Sequence, residues 1–118
     1  MAKILVTGGA GFIGSHVVDR FIEAGHKVAV VDNLISGSRA NLNPKAAFYE
    51  MDIRAPELDD VFTNEQPAYV AHLAAQIDVR RSLQEPVFDA DVNILGGINL
   101  LEKCVKHQVR KFIFSSTG

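Results

Sequence analysis

Thr7-Gly8-Gly9-Ala10-Gly11-Phe12-Ile13-Gly14 decides how the chain is read. Before it, Lys3-Ile4-Leu5-Val6 has the composition of a short apolar strand. After it, Ile13, Val17, Val18, Phe21 and Ile22 recur at helical spacing. Strand, glycine turn and helix in that order form the context in which a dinucleotide-binding fingerprint carries weight. Glycines let the backbone turn with positive φ and approach a pyrophosphate with no Cβ in the way. The free N–H groups and the positive dipole end of the helix then face the phosphates. Two registers fit the stretch: Gly9, Gly11 and Gly14 as G-x-G-x-x-G, and Gly8, Gly11 and Gly14 as G-x-x-G-x-x-G.

The first helix should stop at Gly25, a left-handed cap. Lys27-Val28-Ala29-Val30-Val31-Asp32 is then a nearly continuous apolar run, as expected of a parallel strand covered on both faces. Asp32 ends it, at the distance from the glycines where a carboxylate accepts hydrogen bonds from the adenosine ribose. The same charge repels a 2′-phosphate, which favours NAD over NADP, although Arg39 lies nearby in sequence. Residues 33–39 read as a turn, small enough to wrap a ribose or adenine edge. A third strand is expected over residues 46–51, ending at Asp52. Pro56 suits the first turn of a second helix with Leu58, Val61 and Phe62 on one face, finishing near Gln66-Pro67.

Residues 68–74 give a fourth apolar strand, followed by Ala75 and Gln76. The longest helix runs from Pro86 to about Val105. Val87, Ala90, Ile94, Ile98, Leu101 and Val105 give it an apolar stripe, and Asn93 shares a neighbouring stripe with Gly96, Gly97 and Leu100. Residues 111–115 form a fifth strand, with Thr117 at its carboxyl edge. Strand alternating with helix predicts an α/β fold, a Rossmann-like doubly wound parallel sheet of five strands in the order 3-2-1-4-5. Ligand would bind outside the strand carboxyl ends, at the switch between strands 1 and 4.

Composition sets the bounds. The 118 residues make one domain, 1–118, with 47% hydrophobic and 22% charged residues, as in ordinary globular proteins. A net charge of −2 makes no electrostatic case for nucleic acid or an anionic membrane. No apolar run is long enough to span a bilayer. The lone Cys104 excludes an internal disulfide and suits a cytoplasmic protein. His16, His26, His72 and His107 lie on separate elements and make no credible metal site, and no hydrolase triad spacing is present. Asp59-Asp60 and Arg80-Arg81 read as solvated faces.

The chain resembles the extended short-chain dehydrogenase/reductases, in particular the nucleotide-sugar 4-epimerases of the UDP-glucose (UDP-galactose) 4-epimerase type. The resemblance runs over its whole length: residues 7–16, Val31-Asp32-Asn33-Leu34, Met51-Asp52-Ile53, His72-Leu73-Ala74-Ala75, Asn93-Ile94-Leu95-Gly96 and residues 112–117. It implies the Gly8, Gly11, Gly14 register, with Phe12 and Ile13 on the pyrophosphate of NAD. Asp32 and Asn33 would hold the adenosine ribose, Ser36 and Gly37 would line its pocket, and Asp52 and Ile53 would cover the adenine. Leu73, Ala74, Ala75 and Gln76 would lie beside the phosphates and nicotinamide ribose, with Asn93 next to the cofactor. Thr117 would contact the sugar hydroxyl that is oxidised. Gly118 stands where the sugar 4,6-dehydratases begin an acidic pair, which points to an epimerase.

The family's Tyr-x-x-x-Lys pair does not occur within these residues: neither Tyr49 nor Tyr69 has a lysine four places on. The expectation is therefore an amino-terminal, NAD-binding fragment of an epimerase that binds without turning over, the nucleotide-sugar being met only by a full-length parent. A homodimer or larger assembly is expected across an exposed strand edge and sheet face. The alternative is an NAD(H)-sensing or engineered dinucleotide-binding module with no sugar chemistry.

Overall fold

The computed structural model describes residues 2–34, 38–73 and 95–114. Its elements are β1 (Lys3–Thr7), α1 (Phe12–Glu23), β2 (Lys27–Asp32), a single 3-10 turn (Arg39–Asn41), β3 (Ala47–Glu50), α2 (Leu58–Glu65), β4 (Tyr69–His72), α3 (Gly96–Lys106) and β5 (Lys111–Phe114). The five strands form one sheet in the order β3-β2-β1-β4-β5, every pairing parallel. This is the order expected from the alternation of strands and helices.

Alternate residues of each strand feed two cores, because successive side chains point to opposite faces. On one face Leu5, Ala29, Val31 and Val70 pack with Leu58, Val61 and Phe62 of α2 and Leu100 and Cys104 of α3. On the other, Ile4, Val6, Val28, Val30 and Ala71 pack with Val18 of α1. The uninterrupted apolar run of β2 follows from this, since both of its faces are covered.

Helix ends follow backbone chemistry. Gly25 (φ 91°) takes the left-handed position after α1, and the N–H groups of Gly25 and His26 bond the carbonyls of Ile22 and Phe21. These are the two bonds of a Schellman cap. The same pair closes α3, where Gln108 (φ 57°) stands in for glycine and the N–H groups of Gln108 and Val109 bond Val105 and Cys104. The second helix begins two residues after Pro56, at Leu58. Residues 55–60 first wind through three i→i+3 bonds, from Leu58, Asp59 and Asp60 back to Ala55, Pro56 and Glu57. The third strand is shorter than its apolar run, ending at Glu50 rather than Met51.

In α3 the buried residues are Gly96, Leu100 and Cys104. The apolar stripe of Ile98, Leu101 and Val105 is left exposed. The expectation for residues 86–94 of that helix falls outside the described residues. Asp59 is also more than a solvated charge. Its carboxylate binds Lys106 Nζ (3.0 Å) and His107 Nε2 (2.9 Å), tying the start of α2 to the end of α3.

Candidate functional site at the carboxyl ends of the strands

The glycine turn is built by close approach. Gly8 turns with φ 76° and its N–H bonds the Val31 carbonyl of the neighbouring strand at 2.8 Å. A Cβ on Gly14 would lie 2.0 Å from the Gly8 carbonyl oxygen, so helix and turn touch backbone to backbone. A Cβ on Gly9 would strike both methyls of Val30, at 2.7 and 2.8 Å. Gly11 differs. Its backbone is extended (φ −77°, ψ 175°), and a Cβ there would meet only the Gly8 oxygen, at 3.4 Å. Packing and conformation therefore require glycine at 8, 9 and 14, while nothing inside the described fold requires it at 11.

Past the turn, α1 starts without a cap. Gly11 has no side chain to offer and the first turn carries no acidic residue. The N–H of Ser15 bonds Gly11, but those of Phe12, Ile13 and Gly14 reach no acceptor among the described residues. These are orphan donors at the positive end of a helix, the arrangement that takes a phosphate oxygen. The side chains of Phe12 and Ile13 are exposed, and the Phe12 ring meets His16 edge-on.

Asp32 ends β2 beside the turn and is buried. Its Oδ2 accepts the Ala10 N–H at 2.9 Å and its Oδ1 accepts the Leu34 N–H at 2.7 Å. Each carboxylate oxygen can accept a second hydrogen bond, so the group keeps capacity for hydroxyl donors. The Ala10 carbonyl takes the Ser38 N–H and the Asn41 amide, both at 3.0 Å. Ala10 thus ties the glycine turn to β2 and to the 3-10 turn, a role that an alanine in sequence does not announce.

On the adenine side of the expected site, Asp52 and Asn33 meet, with the Asn33 amide 3.4 Å from Asp52 Oδ2. Arg54 clasps the same carboxylate through its backbone N–H, Nε and Nη2, at 2.7 to 2.9 Å. The guanidinium and this hydrogen bonding hold the Asp52 carboxyl below the usual carboxylate range, against the opposing pull of partial burial. With four donors already on it, the carboxylate is occupied. The Ile53 N–H, by contrast, has no acceptor among the described residues, while its carbonyl takes the Asn99 amide at 2.7 Å. Asp52, Arg54, Ala55, Leu95 and Asn99 line an open cavity of about 550 Å³ here.

Thr7 and Leu73 complete the centre. Leu73 N–H bonds both the carbonyl and the hydroxyl of Thr7, at 3.0 Å each. The Thr7 hydroxyl also shares a 2.7 Å hydrogen bond with Nδ1 of His72, which is buried at the end of β4. Burial pushes the His72 imidazole below its ordinary value.

The structure therefore brings Gly8, Gly11, Phe12, Ile13, Gly14, Asp32, Asn33, Asp52, Ile53 and Leu73 to the same end of the sheet. Ser36, Gly37, Ala74, Ala75, Gln76, Asn93 and Thr117 lie outside the described residues. Sequence reasoning missed Asn99, Arg54, Asn41 and the Thr7–His72 pair. Thr7 and His72 were detectable as polar ends of otherwise apolar strands. Asn99, three residues after buried Gly96, was detectable from helical spacing.

Five parallel strands, a glycine turn feeding an uncapped helix and an acid closing the second strand define a Rossmann-type α/β unit. The model of the NAD dependent epimerase/dehydratase family matches residues 4–118, and the chain belongs to that family. It is 42% identical to a UDP-glucose 4-epimerase of Mycolicibacterium smegmatis, over 98% of this chain and 39% of the relative. Its fold matches the crystal structure of UDP-glucose 4-epimerase with UDP-glucose from Thermotoga maritima (TM-score 0.96, 58% identity), covering 98% of this chain and 38% of that one. It also matches the crystal structure of a Thermus thermophilus UDP-glucose 4-epimerase complex with NAD (TM-score 0.94, 46% identity), with 98% and 37% covered. The chain thus spans between a third and two-fifths of the length of these relatives.

Proposed function

We propose that this chain is the NAD-binding unit of a nucleotide-sugar 4-epimerase acting on UDP-glucose or a close relative. The observation that carries the reading is the conjunction at the β1–β4 switch. There the orphan N–H groups of Phe12, Ile13 and Gly14 and the buried Asp32 carboxylate border one glycine that the fold itself does not need. A ligand with a pyrophosphate and a ribose fits that set of donors and acceptors, and the family's dependence on NAD agrees with it.

In this reading Gly8, Gly11 and Gly14 let the backbone approach, and Phe12 and Ile13 bind the pyrophosphate through their N–H groups. Asp32 and Asn33 accept and orient the adenosine ribose, with Ser36 and Gly37 beside it. Ile53 donates its N–H to the adenine edge, and Asp52, saturated by Arg54, shapes that wall. Leu73, Ala74, Ala75, Gln76 and Asn93 flank the nicotinamide half, and Thr117 contacts the sugar hydroxyl. When bound, NAD supplies a reversible hydride acceptor for the sugar 4-position. These residues bind, orient and exclude water; with no Tyr-x-x-x-Lys among the 118 residues, proton transfer has no residue assigned to it here.

Residues 1–118 act as one domain in this reading. Homodimers or larger assemblies would form across the β5 edge and its sheet face, where Ile113 is half exposed. A cytoplasmic setting suits the single buried thiol, Cys104. Among the described residues no helix is long and apolar enough to cross a membrane.

Titration calorimetry with NAD, NADP, ADP-ribose and UDP-glucose tests the reading. NAD and ADP-ribose should bind with similar affinity, NADP more weakly, and UDP-glucose not detectably. Tight NADP binding, or no nucleotide binding at all, would overturn it. Sedimentation of a stable monomer at high concentration would remove the assembly.

A further inference from the structure

Arg39 is the cation whose place in sequence threatens the preference for NAD, and the fold disposes of it in a specific way. Its backbone lies between Ser38 and Asn41, both bonded to the Ala10 carbonyl, while the Ala10 N–H is held by Asp32. Arg39 therefore starts beside the Asp32 carboxylate. Its guanidinium, however, lies over the Phe48 ring, 5.3 Å from the centroid, and pairs with the Glu50 carboxylate. Glu50 is the cross-strand neighbour of Asp32, one strand further out. Among the described residues, Arg54 on this side is likewise paired, with Asp52.

We infer that Glu50 is a specificity-determining residue: by drawing Arg39 onto β3 it denies positive charge to the ribose 2′ position beside Asp32. A 2′-phosphate then meets the Asp32 carboxylate while Arg39 and Arg54 are both held by other carboxylates. The pair is well suited to this task and poorly suited to stabilising the fold. Arg39 and Glu50 side chains are 66% and 51% exposed, and ion pairs so exposed contribute little to stability. A guanidinium released from Glu50 keeps its reach and its fork of donors for phosphate. Substituting Glu50 should therefore change ligand choice while sparing the fold.

This inference rests on the proposed NAD-binding reading, and the test separates the two. The full chain and its Glu50→Gln, Arg39→Ala and double variants are titrated with NAD and NADP. In Glu50→Gln the affinity for NADP should rise by about threefold to tenfold, with affinity for NAD nearly unchanged, as expected for one partly screened charge contact. The gain should vanish in the double variant and shrink as salt is raised. If the unaltered chain binds no NAD, the functional reading fails and takes this one with it. If it binds NAD but Glu50→Gln leaves NADP affinity unchanged, only the role of Glu50 fails. An equal gain in the Arg39→Ala background would mean that the Glu50 charge acts by direct repulsion, which also overturns the sequestration of Arg39.

Discussion

The Thr7 hydroxyl stands 2.7 Å from Nδ1 of His72, joining the last residues of two adjacent parallel strands at the point where the sheet changes direction. Both side chains are buried. The same hydroxyl accepts the Leu73 N–H, so the glycine turn after β1 and the segment after β4 are set by one oxygen.

Thr7→Val keeps the shape of the side chain and leaves the Leu73 N–H its bond to the Thr7 carbonyl, but removes the buried hydroxyl that pairs with His72 Nδ1. Losing one partner of a buried hydrogen bond costs about 1 to 3 kcal/mol. Urea unfolding of the variant should show a loss of that size, and an unchanged midpoint would mean the hydroxyl is dispensable.

Burial lowers the folded His72 pKa below its unfolded value. Below about pH 6.5 the unfolded chain therefore binds more protons than the folded one, and stability falls as the pH drops. Unfolding free energies measured between pH 8 and pH 5 should decline through that window, and His72→Asn should flatten the slope. The carboxyls of Asp52 and Asp59, lowered by hydrogen bonds from Arg54 and from His107 and Lys106, add their own loss only at more acidic pH.

Gly14→Ala and Gly11→Ala should separate folding from binding. The first puts a methyl 2.0 Å from a backbone oxygen that cannot move aside, an overpacking cost of about 1 to 3 kcal/mol. The second meets only a 3.4 Å contact and should unfold at nearly the unaltered temperature while losing NAD affinity at least tenfold. Retained affinity in Gly11→Ala would show that no phosphate passes there.

Asn99→Leu removes the amide that bonds the Ile53 and Ala55 carbonyls, at 2.7 and 3.2 Å. The link between α3 and the 52–55 turn should loosen, costing about 1 to 3 kcal/mol and weakening NAD and ADP-ribose together. An effect on NAD alone would place the role of Asn99 at the nicotinamide end.

Cys104 is buried and its thiol is pushed up to about 11 by that burial. At neutral pH a disulfide reagent should label it slowly in the native chain and rapidly in denaturant, since the thiolate is the reactive form. Fast native labelling would mean that α3 opens readily from the sheet.

Strand order and the two-faced core were legible in the chain because parallel strands buried on both sides carry continuous apolar runs, as residues 28–31 do. The glycine turn was legible for a related reason. Its positive φ and close approach are local demands, met by residue type alone.

What the tertiary structure decided lies between elements distant in sequence. Periodicity marks the stripe of Ile98, Leu101 and Val105, yet α3 buries Gly96, Leu100 and Cys104 instead, because the sheet and α2 fix which side it presents. Gly8 turns, and Gly9 and Gly14 both pack too closely for a Cβ, because Val30 of β2 and the start of α1 press on the turn. Arg39 could serve either charge partner until β3 placed Glu50 beside Asp32. Hydrophobic pattern and glycine chemistry act over a few residues and can be read from order alone. Charge pairing and helix orientation depend on which distant segments the sheet brings together, and a linear chain does not display that.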